Sequence, residues 1–308
     1  MASPRITVIL SVYGEAPYLP QFLDSLKLQT FGGFRLFCRF DGPPSPGNEA
    51  LLRNFSRFAG FTADSGTWIG CTPSYGVLLK EACETADCLL TADQDDVWDP
   101  DKIEAELAAV REAERKYGSD TPILVHSDLR VTDEALRVMA PSFMRYQALS
   151  PGRNALKDLM IQNNVTGCTV LMNRALARLT RIPEDAVCHD WYLALTAAAF
   201  GKIVYLDRPT VSYRQHGSNV YGAVPRRLLL KELFVPFRLR ERLDATRRQA
   251  GAFLAQHGDR LPPEQRAVLE DWHACLNEPS RWKRLRTIRT HGLRKNDFLR
   301  TLGLWWSA

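Results

Sequence analysis

Residues 6–42 read ITVILSVYGEAPYLPQFLDSLKLQTFGGFRLFCRFDG. Residues 6–11 form an unbroken, β-branched apolar run, the pattern of a strand covered on both faces. After the turn around Gly14 to Pro17, Leu19, Phe22, Leu23 and Leu26 recur at spacings of three and four, which predicts a helix. Residues 34–40 make a second strand, stopped by Asp41-Gly42-Pro43-Pro44. Strand, helix and strand with short connections imply a right-handed parallel unit. The alternation continues with helices over 48–58, 74–85 and 101–117, the last beginning at Asp99 or Pro100. Strands are predicted over 88–92, 124–127 and 165–172, then a helix over 191–200 and a closing strand over 202–206. Such a pattern predicts an α/β sheet that receives ligands at the carboxyl ends of its strands. Those ends deliver Tyr13, Asp41 and Asp93-Gln94-Asp95-Asp96 to one crevice.

The 308 residues are 45% hydrophobic, 24% charged and 10% aromatic, which excludes disorder and fibre and allows one substantial core with an appendage, or two domains. The net charge of +5 is too small to make nucleic acid the default partner, and it is unevenly distributed. From residue 224 onward 18 basic residues face 9 acidic ones, a net of +9, so the preceding part carries −4. Segments 226–255 and 263–276 show helical periodicity and no strand signal. The expected organisation is an α/β domain over 1–223 and a basic helical extension over 224–308. Seven cysteines, without a Cys-x-x-Cys pair or zinc-like spacing, suit buried free thiols in a reducing cytoplasm. No signal-peptide layout and no uncharged apolar run of the roughly 18 residues a span requires are present. A cytoplasmic protein, on the inner face of the membrane if attached there at all, is expected.

The run Thr91-Ala92-Asp93-Gln94-Asp95-Asp96-Val97-Trp98 follows an apolar strand. Three carboxylates in four residues repel one another unless a cation neutralises them, and hard oxygen ligands suit Mg²⁺ or Mn²⁺. The competing reading is that Asp95, Asp96 and Asp99 cap the next helix, for which one carboxylate suffices.

The order of these elements resembles family 2 glycosyltransferases of the GT-A fold, from about Ile6 to Ala223. The resemblance rests on Ser11-Val12-Tyr13, Asp41-Gly42, Asp93-Gln94-Asp95-Asp96, Asn164-Val165-Thr166-Gly167-Cys168-Thr169, His189-Asp190-Trp191 and Tyr213-Arg214-Gln215-His216-Gly217-Ser218-Asn219. The Asp-Gln-Asp-Asp-Val-Trp and Tyr-Arg-Gln-His forms are most similar to bacterial rhamnosyltransferases and related O-antigen or capsule enzymes. It implies a mostly parallel nucleotide-sugar-binding sheet flanked by helices, and inverting transfer of a sugar to a hydroxyl of a surface polysaccharide or lipid-linked glycan. Two positions depart from the wider family: Gly14 stands where Asn is usual, and Phe40-Asp41-Gly42-Pro43 replaces Asp-Asp-Gly-Ser.

By this resemblance Ser11, Tyr13, Asp41, Asp93 and Arg214 bind the nucleotide, with Asp41 accepting the N3–H of a pyrimidine base, so the donor is a UDP- or dTDP-sugar. Asp93, Asp95 and His216 hold the divalent cation, and Asp190 is the catalytic base. Asn164, Gly167 and Trp191 border the sugar or acceptor. From residue type alone, Tyr13 and Trp191 are equally core aromatics, Asp190 a helix N-cap, and Arg214 a solvated strand-edge charge. A nucleotidyltransferase, or a degenerate binding protein without catalysis, shares the sheet and the acidic run; no Gly-rich basic loop follows the first strand, which disfavours the former. The acceptor site would be shaped by loops such as 140–162. In the C-terminal extension, Leu228, Leu229, Leu230, Leu233, Phe234 and Phe237 are mixed with Arg226, Arg227, Lys231, Arg238, Arg240 and Arg242, and the tail ends Phe298-Leu299-Arg300-Thr301-Leu302-Gly303-Leu304-Trp305-Trp306. This either caps the catalytic domain or offers a peripheral membrane contact or homodimer surface.

Overall fold

A computed structural model describes residues 4–217, 222–223, 236–275 and 277–308. One mixed sheet of nine strands organises the chain: β1 (Ile6–Tyr13), β2 (Phe34–Asp41), β3 (Phe58–Phe61), β4 (Cys88–Ala92), β5 (Val97–Trp98), β6 (Ile123–Thr132), β7 (Val138–Ala140), β8 (Val170–Asn173) and β9 (Lys202–Arg214). The spatial order is β3-β2-β1-β4-β8-β6-β9-β5, with β7 on β6. The pairings run β1 to β4, β6 and β9 in one direction and β5, β7 and β8 against it. The carboxyl ends of β1, β2, β4, β6 and β9 therefore share one edge.

Alternation along β1 creates two cores. Ile6, Val8, Leu10 and Val12 enter one cluster with helix α1 (Leu19–Lys27), while Ile9 enters the other with helix α3 (Cys71–Ala82). Between these, α2 spans Pro46–Arg53; after them come α4 (Lys102–Tyr117), α5 (Phe143–Tyr146), α6 (Leu156–Ile161), α7 (Arg174–Leu179) and α8 (His189–Phe200). The described C-terminal helices are α9 (Pro236–His257), α10 (Pro263–Cys275), α11 (Arg281–Thr290) and α12 (Phe298–Ser307). They build no separate core: Leu243, Phe253, Trp272, Ile288 and Leu304 are buried in the cluster that holds Ile9, Leu78 and Leu193. Each such side chain contributes about 1.5–3 kcal/mol by burial. The same region also staples a loop of the α/β part. Ser150 donates its N–H to Asn296 Oδ1 (3.2 Å), Asn296 donates to Gln162 Oε1 (2.9 Å) and Arg153 donates to the Arg294 carbonyl (2.7 Å).

Three expectations change. The helix placed over 48–58 ends at Arg53, and Phe58–Phe61 pairs with β2 as an edge strand. The strand placed over 165–172 is a 3₁₀ turn at Gly167–Thr169 followed by β8, because Thr169 donates its N–H back to the Thr166 carbonyl at 2.9 Å. The closing strand continues from Leu206 to Arg214, paired along β6. Leu228, Leu229, Leu230, Leu233, Phe234, Arg226, Arg227 and Lys231 lie outside the described residues, as do Ser218 and Asn219, and the side chains of Phe237 and Arg238 are likewise not described.

Candidate active site

The acidic run is held at both ends. Ala92 closes β4, and Val97–Trp98 pairs antiparallel with Val211 and Ser212 of β9, which carries Asp95 and Asp96 to the Arg214–His216 segment. Asp96 is fully buried; it accepts the Arg214 N–H at 3.2 Å, and its second oxygen has no hydrogen-bond partner. That carboxyl, Asp93 and the Cys168 thiol place ligand atoms within 4.8 Å of one another. Asp95 Oδ2 lies 2.6 Å from His216 Nε2. Burial, with the charges of Asp95 and Asp190, pushes the Asp93 carboxyl up to about 7, and burial with Asp95 and Asp93 raises Asp96 well above the usual carboxylate range. Cys168 is raised by burial and by Asp96, so it stays a thiol and a poor ligand. Half-buried Asp93 and Asp95, backed by the orphaned Asp96 oxygen, form an oxygen-rich set whose mutual repulsion a hard divalent cation relieves; the residues fit such an ion.

Helix capping does not explain the run. The N-cap position of α4 is Asp101, without a side-chain capping bond, and Asp99 is engaged by Arg130 at 2.6 and 2.7 Å.

At the end of β1, Gln94 reaches across to the Tyr13 peptide. Its Oε1 accepts the Tyr13 N–H at 2.8 Å and its Nε2 donates to the Tyr13 carbonyl at 3.0 Å. The Tyr13 ring is 62% exposed and meets the equally open Trp68 edge to face, with centroids 5.3 Å apart. Trp68 packs so tightly on Gly42 that a Cβ there would lie 2.3 Å from the indole, and Gly42 sits at φ +103°. Asp41 is buried; its Oδ1 accepts N–H groups from Ile69 (2.8 Å) and Gly70 (3.0 Å), with Arg39 Nη1 at 3.3 Å. Arg39, wholly buried, also donates to Ser74 Oγ (2.8 Å) and the Thr67 carbonyl (2.8 Å). Asp41 thus fixes the loop that presents Trp68. Ser11 is half-buried on β1, two residues before Tyr13.

Asp190 lies in the first turn of α8, but the N-cap is Cys188, so Asp190 does not cap the helix. Its Oδ1 accepts the Trp191 N–H at 2.6 Å, and its charge helps to raise the Asp93 carboxyl. His189 beside it is buried and stacked on Tyr75 at 3.8 Å, with both ring nitrogens unpartnered and its pKa lowered by burial. Tyr75 in turn hydrogen-bonds the Ala92 carbonyl and Asp93 Oδ1, the latter at 3.3 Å. Gly167 closes this stack: its carbonyl accepts the Thr91 hydroxyl, and an added Cβ would lie 2.8 Å from His189 Nε2.

Other expected site residues are engaged by the protein itself. Arg214 is buried and donates to the Asp95 carbonyl (2.9 Å), the Glu134 carbonyl and Gln21, with its guanidinium 4.3 Å from the Tyr18 ring centroid. It is therefore no solvated edge charge; it holds the acidic loop from behind. Asn164 donates to the Ser150 (2.8 Å) and Arg153 (3.1 Å) carbonyls. Trp191 packs on the core and gives its indole N–H to the Leu159 carbonyl. Sequence reasoning missed Trp68, Tyr75, Arg39 and Tyr18; no local pattern marks them, since the fold alone brings them to Gly42, Asp93, Asp41 and His216.

Glycosyl transferase family 2 is matched over residues 7–177. The dTDP-rhamnosyl transferase RfbG of Shigella flexneri is 25% identical over 159 residues, covering 50% of this chain and 52% of that protein, so the chain spans about half the length of this curated relative. Among solved structures, TarS 1–349 of S. aureus in complex with UDP-GlcNAc superimposes with a TM-score of 0.53 at 15% identity, over 93% of this chain and 90% of that one. The mannosyltransferase PcManGT from Pyrobaculum calidifontis, in complex with GDP-Man and Mn²⁺, gives 0.52 at 17% identity over 94% and 74%. These likenesses establish a GT-A fold.

Proposed function

The chain belongs to glycosyl transferase family 2, and from that premise we propose that it is an inverting, cation-dependent enzyme moving a sugar from a pyrimidine nucleotide-sugar to a glycan hydroxyl. Rhamnose is the sugar we place first, supported by the motif forms and by the S. flexneri relative. The acceptor is a growing surface polysaccharide or a lipid-linked glycan, and the enzyme works in the cytoplasm.

What supports this reading is that Asp95 and Asp190 both act on the Asp93 carboxyl at the end of β4, with His216 Nε2 2.6 Å from Asp95 Oδ2. We assign Asp93, Asp95 and His216 to the cation, with Mn²⁺ or Mg²⁺ as candidates. Such a cation, when bound, stabilises the charge that develops on the departing nucleoside diphosphate. Tyr13 and Trp68 supply aromatic surface for the base, and Asp41, tied through Oδ1, keeps its other oxygen for the base N3–H. Asp190 takes the proton of the acceptor hydroxyl while that oxygen attacks the anomeric carbon and the bond from that carbon to the diphosphate breaks. One displacement inverts the centre, and no protein nucleophile takes part.

The test is nucleoside diphosphate release from UDP-, dTDP- and GDP-sugars with Mn²⁺, Mg²⁺ or chelator. Turnover is expected to need a pyrimidine donor and a cation, and to fall by about 10²–10⁴ in Asp190→Asn. Full activity of Asp95→Asn or in chelator removes the cation assignment, and unchanged turnover in Asp190→Asn removes the base.

A further inference from the structure

Helices α11 and α12 leave an open groove of about 1330 Å³ between them, far from the strand-end crevice in sequence and lined by Arg281, Trp282, Arg286, Arg289, Trp305 and Trp306. The inner faces of both helices are committed to the core through Ile288 and Leu304, so the groove faces outward. Trp282 is 83% exposed and Trp306 64%, and Phe298 is also open to solvent. The stretch 281–308 holds eight Lys and Arg residues against one acidic residue, Asp297, which is buried and accepts the Leu299 N–H at 2.9 Å. Several of these cations are engaged: Lys283 pairs with Glu278, and Arg284 donates to the Glu278 and Ala308 carbonyls. Arg281, Arg286 and Arg289 are exposed and, among the described residues, none pairs with a carboxylate; Arg281 only rests 5.8 Å from the Trp306 ring centroid.

Indoles and unpaired guanidinium groups on one outward face match the depth profile of a bilayer interface, where rings sit at headgroup level and cations meet anionic lipids. We propose that the α11–α12 face is a peripheral docking surface for an anionic lipid bilayer. No described helix is long and apolar enough to cross a membrane, so the contact is a surface one. Charge complementarity selects this occupant over a second copy of the chain: a twofold interface through the groove would set the same three arginines against each other. Asn296 and Arg294, just before α12, hold the 150–162 loop, so the docked face is tied directly to the catalytic part.

The full chain is mixed with vesicles of phosphatidylcholine, alone or with phosphatidylglycerol, and followed by co-sedimentation and tryptophan emission. Sedimentation with the anionic vesicles and a blue shift of emission are expected, with neither on phosphatidylcholine alone. Arg286→Glu/Arg289→Glu should lower the partition coefficient at least about twentyfold, from a factor of about five per basic residue. Trp282→Ala/Trp306→Ala should abolish the blue shift, with far-UV circular dichroism of both variants unchanged. A wild-type chain that stays in the supernatant without a blue shift overturns the proposal, whatever the variants do. So does binding that the folded Arg286→Glu/Arg289→Glu variant retains, or a vesicle-free dimer that the substitutions dissolve while no lipid binding is seen.

Discussion

Replacing Gly167 by Ala adds one carbon to the wall behind the proposed base, and its effect follows from distances. The new Cβ would lie 2.8 Å from His189 Nε2 and 3.2 Å from Cε1, whereas ordinary contact begins near about 3.5 Å. The imidazole must therefore retreat by roughly 0.7 Å. It has nowhere to go, because its ring is stacked on Tyr75 at 3.8 Å and the residue is buried in the first turn of α8. Gly167 is not among the glycines at positive φ, so alanine itself is unstrained and the clash is the whole perturbation. Overpacking of this kind costs about 1–3 kcal/mol. Asp190 follows His189 directly, and its Cβ would lie 3.8 Å from the added carbon. A displacement of this size passed to the carboxylate should lower kcat by about tenfold or more, since a shift of about 1 Å can cost a hundredfold. Denaturant melts and kcat from nucleoside diphosphate release measure the two effects. The double variant Gly167→Ala/His189→Ala should regain stability relative to the sum of the single changes. A Gly167→Ala enzyme with wild-type stability and kcat, or strictly additive double-variant energies, refutes the reasoning.

Four further outcomes are expected. Lys102 and Glu106 form a 2.6 Å ion pair with both side chains fully buried, so Lys102→Met should cost about 3–5 kcal/mol in urea unfolding, and Lys102→Met/Glu106→Leu much less. His126 is buried with both ring nitrogens unpartnered, and burial lowers its pKa to about 3; the unfolded chain takes up a proton near 6.5 that the native chain refuses, so stability falls as pH drops from about 6.5 toward 3 by about 1.4 kcal/mol per unit. His126→Leu should flatten that limb. Asp93 is shifted the other way, to about 7, so the cation-free chain loses stability as pH rises from about 4 to about 7, and Mn²⁺ should raise the melting temperature more at about pH 8 than at about pH 5. Trp68→Ala should weaken UDP or dTDP binding about three- to tenfold in calorimetry while leaving kcat near wild type.

The first unit, β1 to β2, was readable because Ile6, Val8, Leu10 and Ile9 sort to opposite faces of one buried strand and α1 carries a clean apolar stripe. The acidic run was equally plain, since like charges packed after an apolar strand require an explanation of their own. Short elements were not readable. Val97–Trp98 is too brief to show a period, and only its pairing with β9 makes it a strand. Residues 165–172 look extended by composition, yet Thr166 to Thr169 turn, the Thr169 N–H returning to the Thr166 carbonyl while the Gly167 carbonyl accepts the Thr91 hydroxyl. Residue type foretold that Asp95 and His216 are chemically matched; their 2.6 Å contact depends on a β9 that runs eight residues past Leu206. Arg214 illustrates the converse, as nothing in its neighbours announces that Tyr18, Gln21 and Glu134 enclose it.

Gln94 has a mechanical consequence. By giving and taking a hydrogen bond on the same Tyr13 peptide, its amide imitates one more rung of strand pairing after the ladder between β1 and β4 has ended. The aromatic rim and the carboxylate loop consequently move as one jaw rather than two. A pull on the ring at Tyr13 is transmitted to Asp93 and Asp95, on either side of Gln94, without passing through the hydrophobic interior.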